Sequence, residues 1–180
     1  MLIQFNQFAD IKSISKVLLL VLLFSCNSTE HRKLSEAEMK EHLTEVNRLL
    51  VKDEAKEIEE FIAKHQFKME KSGTGLRIQM LSKTSGKLPV IHEEVVIAYR
   101  VVLLDGTECY SAKEEHPFRF RLGEGQQPRG FEDALQQLPE GSRARVIVPS
   151  HLAYGMTGDS DKIPGGNALF YEVHLLKIQP

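Results

Sequence analysis

The run Phe118-Arg119-Phe120-Arg121-Leu122 sets apolar and cationic side chains in strict alternation. Only an extended strand sends successive side chains to opposite faces, so this segment must bury one face and wet the other. Ala144, Val146 and Val148 around Arg145 repeat the pattern, as do Leu169, Tyr171, Val173 and Leu175. Leu76, Ile78 and Met80 alternate more weakly, and Glu94 to Leu104 is a β-rich run closed by Asp105-Gly106, a strong turn signal. One helical candidate interrupts the series: Phe131 to Leu138, with Phe131, Leu135 and Leu138 on one side and Pro139-Glu140-Gly141 as its stop. Gly86 and Pro89 mark a loop. Pro149 to Asn167 is a long loop rich in Gly, Ser and Asp, of a length that is usually functional or disordered. Many half-buried strands around one short helix predict an α+β fold in which an antiparallel sheet buries that helix.

Upstream the periodicity changes. Ser35-Glu36-Ala37-Glu38 fits a capping box, and Met39, Leu43, Val46 and Leu50 follow on one helical face. Val51, Ala55, Ile58 and Ile62 continue the spacing one residue out of phase, with Asp53 near the slip. Residues 35–68 therefore form one long helix with a drift, or two helices, with a solvated Glu- and Lys-rich opposite face. The apolar stripe either packs on the domain behind it or serves as an arm for clients or for a homodimer through Ser35–Gln66.

Further upstream, Lys12 and Lys16 precede Val17–Phe24 (VLLLVLLF), the layout of a secretory signal peptide. The run is shorter than the roughly 20 apolar residues that span a bilayer. Met1 to Ile11 are unusual for such a segment, carrying Asp10 and no positive side chain. Leu23-Phe24-Ser25-Cys26 resembles a bacterial lipobox. That resemblance implies a signal peptide over 1–25, lipid attachment at Cys26 and a tether over 26–34. The helical segment 35–68 and a domain over 72–180 follow. The chain is then expected on the cell envelope, lipid-anchored and facing the periplasm or outer membrane. Cys26 and Cys109 are the two cysteines, so acylation of Cys26 leaves Cys109 without a disulfide partner in the chain.

Several chemistries find no support. A net charge of -2 argues against a nucleic-acid partner. The seven histidines are scattered, with no pair at the spacing of a helical metal site. No G-x-S-x-G or Gly-Lys-Ser/Thr occurs, and Gly123-x-Gly125 meets Pro128 where a dinucleotide fingerprint needs Gly. No cofactor and no metal are expected.

Six segments stand in a fixed order: Tyr99…Asp105-Gly106, Pro117–Gly123, Arg129-Gly130-Phe131-Glu132, Gly141–Ala144, Ala153-Tyr154-Gly155 and Ile163-Pro164. Over Glu94 to Ile178 this series resembles the FKBP-type peptidyl-prolyl cis-trans isomerases. Each piece alone is weak; the ordered set is specific. With the lipobox, the chain also looks like envelope lipoproteins of that family, including those associated with gliding motility. The resemblance implies a bent antiparallel sheet of five or six strands wrapped on the helix near Phe131. It implies a catalytic pocket walled by Tyr99, Phe118, Phe131, Tyr154, Ile163 and Tyr171, with Tyr110, Gln127 and Pro128 in substrate binding. Clients would be proline-containing polypeptides, and the activity would assist folding of exported proteins. A non-catalytic chaperone or adaptor on the same fold is the alternative. Three positions depart from the family pattern. Cys109 and Tyr110 replace an aromatic and an Asp, which thins the apolar wall and removes a carboxylate. Pro128 replaces a residue whose N–H would meet the ligand, and proline has none. Cys109 itself is expected as a small buried hydrophobe.

Overall fold

A computed structural model describes residues 35–180, apart from the side chains of 47–50. The signal peptide, lipobox and tether expected over 1–34, including Cys26, lie outside the described residues. Two compact units divide the chain, Met1–Leu43 and Thr44–Pro180. In the first, the described residues begin the helix α1 (Glu36–His65). The capping box forms reciprocally: Glu38 N–H donates to Ser35 Oγ at 3.2 Å, and Ser35 N–H donates to Glu38 Oε2 at 2.9 Å. These bonds satisfy two of the helix's orphan donors. The slip at Asp53 does not break α1, which runs as one element.

In the second unit, seven antiparallel strands form one sheet: β1 (Glu70–Lys71), β2 (Arg77–Ser82), β3 (Glu94–Leu103), β4 (Glu108–Ala112), β5 (Phe118–Arg121), β6 (Arg143–Val148) and β7 (Leu169–Gln179). Their order is β1-β2-β6-β7-β3-β4, with β5 also paired to β3. The sequence implied five or six strands; the two-residue β1 and the weakly patterned β4 make the difference. β4 and β5 share the edge of β3, β5 on Glu94–Ile97 and β4 on Tyr99–Val102. A bulge where Val96 pairs with Lys177 and Ile97 with Leu175 returns Ile178 to the face of Leu175.

One face of the sheet closes on α2 (Arg129–Leu135). Phe131, Ala134, Leu135 and Leu138 meet Val95, Ile97, Val101, Val146, Tyr171 and Leu175 in the main core. Gly130 allows the close approach, since a Cβ there would lie 2.7 Å from Val148 Cγ1 and Leu152 Cβ. Glu132, also buried, accepts the Gly123 N–H at 2.7 Å and pins the segment after β5 to α2.

The opposite face carries a second, smaller core. Ile58 and Phe61 of α1 pack with Val102, Ile147, Ala168 and Phe170. This part of α1 therefore packs on the domain. Two polar ties fix it. The buried Arg77 guanidinium donates to Gly75 O and to Glu59, and the Glu54 carboxylate accepts the Ser150 N–H at 2.6 Å. Ser150 opens the 3-10 turn Ser150–Leu152, which leads to Tyr154.

Candidate active site

Sheet register gathers the first rings. Ile97 pairs with Phe118, Tyr99 with Val173 and Val101 with Tyr171, so Tyr99, Phe118 and Tyr171 become same-face neighbours. Tyr99 has its ring centroid 5.9 Å from Phe118 and 6.4 Å from Tyr171. Phe131, in the first turn of α2, adds the fourth ring, 6.3 Å from Tyr99 and stacked on Tyr171 at 4.1 Å with 13° between planes. These separations are those of favourable offset and tilted ring pairs.

The cluster has a floor and a rim. Phe131, Tyr171 and Ile163 are fully buried, whereas Tyr99, Phe118, Tyr110 and Tyr154 are half-exposed and pack against the same core. Of the six residues expected to wall the pocket, Phe131, Tyr171 and Ile163 thus lie at the floor and Tyr99, Phe118 and Tyr154 at the rim. Burial pushes the hydroxyl pKa values of Tyr99 and Tyr154 upward, and that of Tyr171 far upward, with smaller contributions at Tyr171 from neighbouring Tyr154 and Tyr99. All three hydroxyls stay neutral, able to donate but not to act as bases.

Tyr154 also lines a groove of about 670 Å³ with Ile91, Gln127, Pro128 and Ala153. The predicted binding residues Gln127 and Pro128 thus share a cleft with Tyr154. Pro128 N-caps α2, its carbonyl accepting the Phe131 and Glu132 N–H groups. The Gln127 side chain donates to the Gln126 carbonyl at 2.9 Å.

Cys109 is buried, with Sγ 3.8 Å from the Thr107 and Lys162 carbonyls, and burial raises its thiol pKa. Its thiol is therefore protonated at neutral pH and inert as a nucleophile. The carboxylate missing at Tyr110 is supplied from across the site. The Tyr110 hydroxyl donates to Asp159 Oδ2 at 2.6 Å and lies 3.1 Å from Asp161 Oδ2. Neither aspartate was singled out in the sequence, where Asp159-Ser160-Asp161 read only as loop composition. Among the described residues no group of three or more His, Cys, Asp or Glu is gathered to hold a metal ion.

The family model for FKBP-type peptidyl-prolyl cis-trans isomerases matches residues 86–176, half of the chain. The chain belongs to this family. It is 39% identical over 108 residues to the peptidyl-prolyl cis-trans isomerase FKBP2 of Mus musculus, covering 59% of this chain and 74% of that one. The Homo sapiens FKBP2 shows the same identity with 73% of its length covered. The peptidyl-prolyl cis-trans isomerase Fkbp12 of Drosophila melanogaster is 35% identical over 88 residues, 48% of this chain and 82% of that one. A crystal structure of a peptidyl-prolyl cis-trans isomerase from Pseudomonas syringae pv. tomato DC3000 aligns with a TM-score of 0.61 and 27% identity. It covers 74% of this chain and 96% of that one. The fold is FKBP-like and the chain is an enzyme of the peptidyl-prolyl isomerase class.

Proposed function

We propose that this FKBP-type isomerase acts on proline-containing segments of exported polypeptides, held to the cell envelope by lipid on Cys26. The observation that carries the catalytic reading is the four-ring cluster of Tyr99, Phe118, Phe131 and Tyr171 beside the Tyr154 groove. The reaction needs no covalent step. Rotation about the X–Pro bond is slow because that bond is partly double, with a barrier of about 18–20 kcal/mol. Twisting the amide out of plane removes resonance and reduces its charge separation. A dry aromatic surface opposes the polar planar amide more than the less polar twisted one, and only such differential interaction accelerates the step. Each 1.36 kcal/mol of preference is about tenfold in rate.

In this reading the proline ring lies against Tyr99 and Phe118, over the stacked Phe131 and Tyr171, with Ile163 behind. Tyr154 donates its hydroxyl to a substrate carbonyl and fixes the pose in which rotation is favoured. The peptide flanking the proline continues along Gln127 and Pro128. Pro128 offers no N–H there, so Tyr154 carries more of the positioning.

The envelope assignment is supported by the Lys12/Lys16 flank, the apolar Val17–Phe24 run and the Leu23–Cys26 order. Acyl chains on one cysteine anchor a protein by burying methylenes, each worth about 0.8 kcal/mol.

Two experiments test the reading. In the first, the chain accelerates the proline-limited refolding of a slow-folding protein, and Tyr154→Phe lowers that rate. Binding without acceleration in both peptide and refolding assays would replace the enzyme by a chaperone. In the second, fatty-acid labelling in a bacterial host marks the wild type but not Cys26→Ala. Equal labelling of both chains would remove the anchor.

A further inference from the structure

The loop between β6 and β7 is a closed tongue. Its two arms are bonded to each other by Gly166 N–H to Gly155 O at 2.8 Å and Asp159 N–H to Ile163 O at 3.0 Å, and a turn within the first arm is closed by Gly158 N–H to Tyr154 O at 3.2 Å. The arms lie so close that a Cβ at Gly158 would strike the Ile163 carbonyl, and one at Gly165 the Met156 carbonyl. Gly158 also sits at φ +73, where side chains are strained. The tongue carries two residues of the proposed site, Tyr154 at its base and Ile163 near its tip.

One carboxylate organises the tip. Asp159 Oδ1 accepts the Asp161 N–H at 2.9 Å and the Ile163 N–H at 2.8 Å. Its Oδ2 accepts the Tyr110 hydroxyl at 2.6 Å, across 49 positions of sequence. The tip meets the same strand elsewhere too: Lys162 Nζ lies 5.0 Å over the Tyr110 ring, Asp161 Oδ2 accepts from the Tyr110 hydroxyl at 3.1 Å, and Cys109 Sγ lies 3.8 Å from the Lys162 carbonyl. Burial alone would raise the Asp159 pKa; the Tyr110 hydroxyl and the amides of Ile163, Asp161 and Lys162 outweigh it and lower the value. The carboxylate is therefore ionised at neutral pH and its hydrogen bonds are charge-assisted, the strong kind.

We infer that Asp159 is a positioning residue, which fastens the tongue to β4 through Tyr110 and so sets Ile163 as a wall of the site. The inference rests on the catalytic reading above. It gives meaning to the exchange at Tyr110. A carboxylate on β4 would only edge the site, whereas a phenol on β4 facing a carboxylate on the loop ties the two together. Substrate entry must then proceed with the tongue fastened, and loosening it weakens substrate binding.

The test uses the full chain and four variants: Asp159→Ala, Asp159→Asn, Tyr110→Phe and the double variant Asp159→Ala/Tyr110→Phe. For isomerisation of an X–Pro peptide, Asp159→Ala raises KM roughly tenfold, the scale of losing more than one hydrogen bond. Asp159→Asn, which keeps an oxygen for both amides, recovers most of that loss. Tyr110→Phe raises KM less, and in the Asp159→Ala background it adds only the smaller loss of its 3.1 Å contact with Asp161, so the two effects together fall well short of their sum. A merely structural role would lower kcat through loss of folded enzyme at constant KM. That result, or additive effects of the two substitutions, overturns the inference. Amide hydrogen exchange supplies a readout independent of activity. In Asp159→Ala the Asp161 and Ile163 amides lose protection while the Val146 and Leu175 amides keep theirs. Unchanged protection at Asp161 and Ile163 overturns the inference even if the wild type fails to isomerise the peptide. Failure of wild-type isomerisation alone would instead sink the catalytic reading.

Discussion

The floor and the tongue of the site are held by opposite means. At the floor, Phe131 and Tyr171 are wholly buried, stacked at 4.1 Å and surrounded by apolar side chains of α2 and the sheet. At the tongue, hydrogen bonds converging on Asp159 set the backbone leading to Ile163, whose side chain reaches into the core, while Tyr154 stays half-exposed. Floor residues are thus inseparable from the core, and changing them changes stability. The polar groups of the tongue, Asp159 and the Tyr154 hydroxyl, lie only partly buried, so changing them alters function with little effect on the fold. A site built this way combines a rigid apolar surface with an adjustable polar edge.

Breaking the floor should have the largest effect. Phe131→Ala removes a stacked, fully buried ring and is expected to cost about 3–5 kcal/mol of stability, read from denaturant unfolding. Activity falls with the folded fraction. A loss below about 1 kcal/mol would mean that Phe131 is not part of the core. Gly158→Ala comes next. It forces a side chain into a left-handed position and against the Ile163 carbonyl, costing on the order of 1–3 kcal/mol locally. The expected outcome is a fall in kcat/KM of more than tenfold with a smaller shift in unfolding midpoint than Phe131→Ala. Equal shifts in both would erase the distinction between floor and tongue.

Tyr154→Phe removes one half-exposed hydroxyl. Loss of a hydrogen bond worth about 0.5–1.5 kcal/mol predicts a kcat/KM lower by roughly two- to twelvefold, with the unfolding curve unchanged. The smallest effect is that of acid. The folded pKa of Asp159 is depressed, so its stabilising contribution is complete above the ordinary carboxylate pKa of about 3.9 and is lost as pH falls below it. Protection of the Ile163 amide should therefore drop in that acid range before protection of Val146 does. The Asp161 carboxylate and the Lys162 ammonium are the other charged groups at the tip, both in contact with Tyr110. Simultaneous loss at both amides would place Asp159 outside the linkage.

The same contrast explains what was legible in the sequence. Floor and sheet follow from local periodicity: the alternations around Arg119, Arg145 and Glu172 became β5, β6 and β7, and Asp105-Gly106 became the β3–β4 turn. β4 escaped because Glu108–Ala112 buries only Cys109 fully. β1 is two exposed residues with no pattern at all. Ring identities, and Phe131 as floor, were legible from the family resemblance, but the depth of Tyr171 was not, since it is set by how α2 seats on the sheet. The polar ties were invisible. Tyr110 to Asp159 spans 49 positions and Glu54 to Ser150 spans 96, and no local pattern marks either partner. A bulge such as that at Leu175/Lys177 also inverts alternation without a sequence signal.

The most direct test of the whole account is magnetisation-exchange NMR on an X–Pro peptide with catalytic amounts of the full chain. Uncatalysed exchange takes tens to hundreds of seconds. The account predicts exchange within about a second or faster, slowed by Tyr154→Phe. An exchange rate indistinguishable from the peptide alone, with the protein folded, would contradict it.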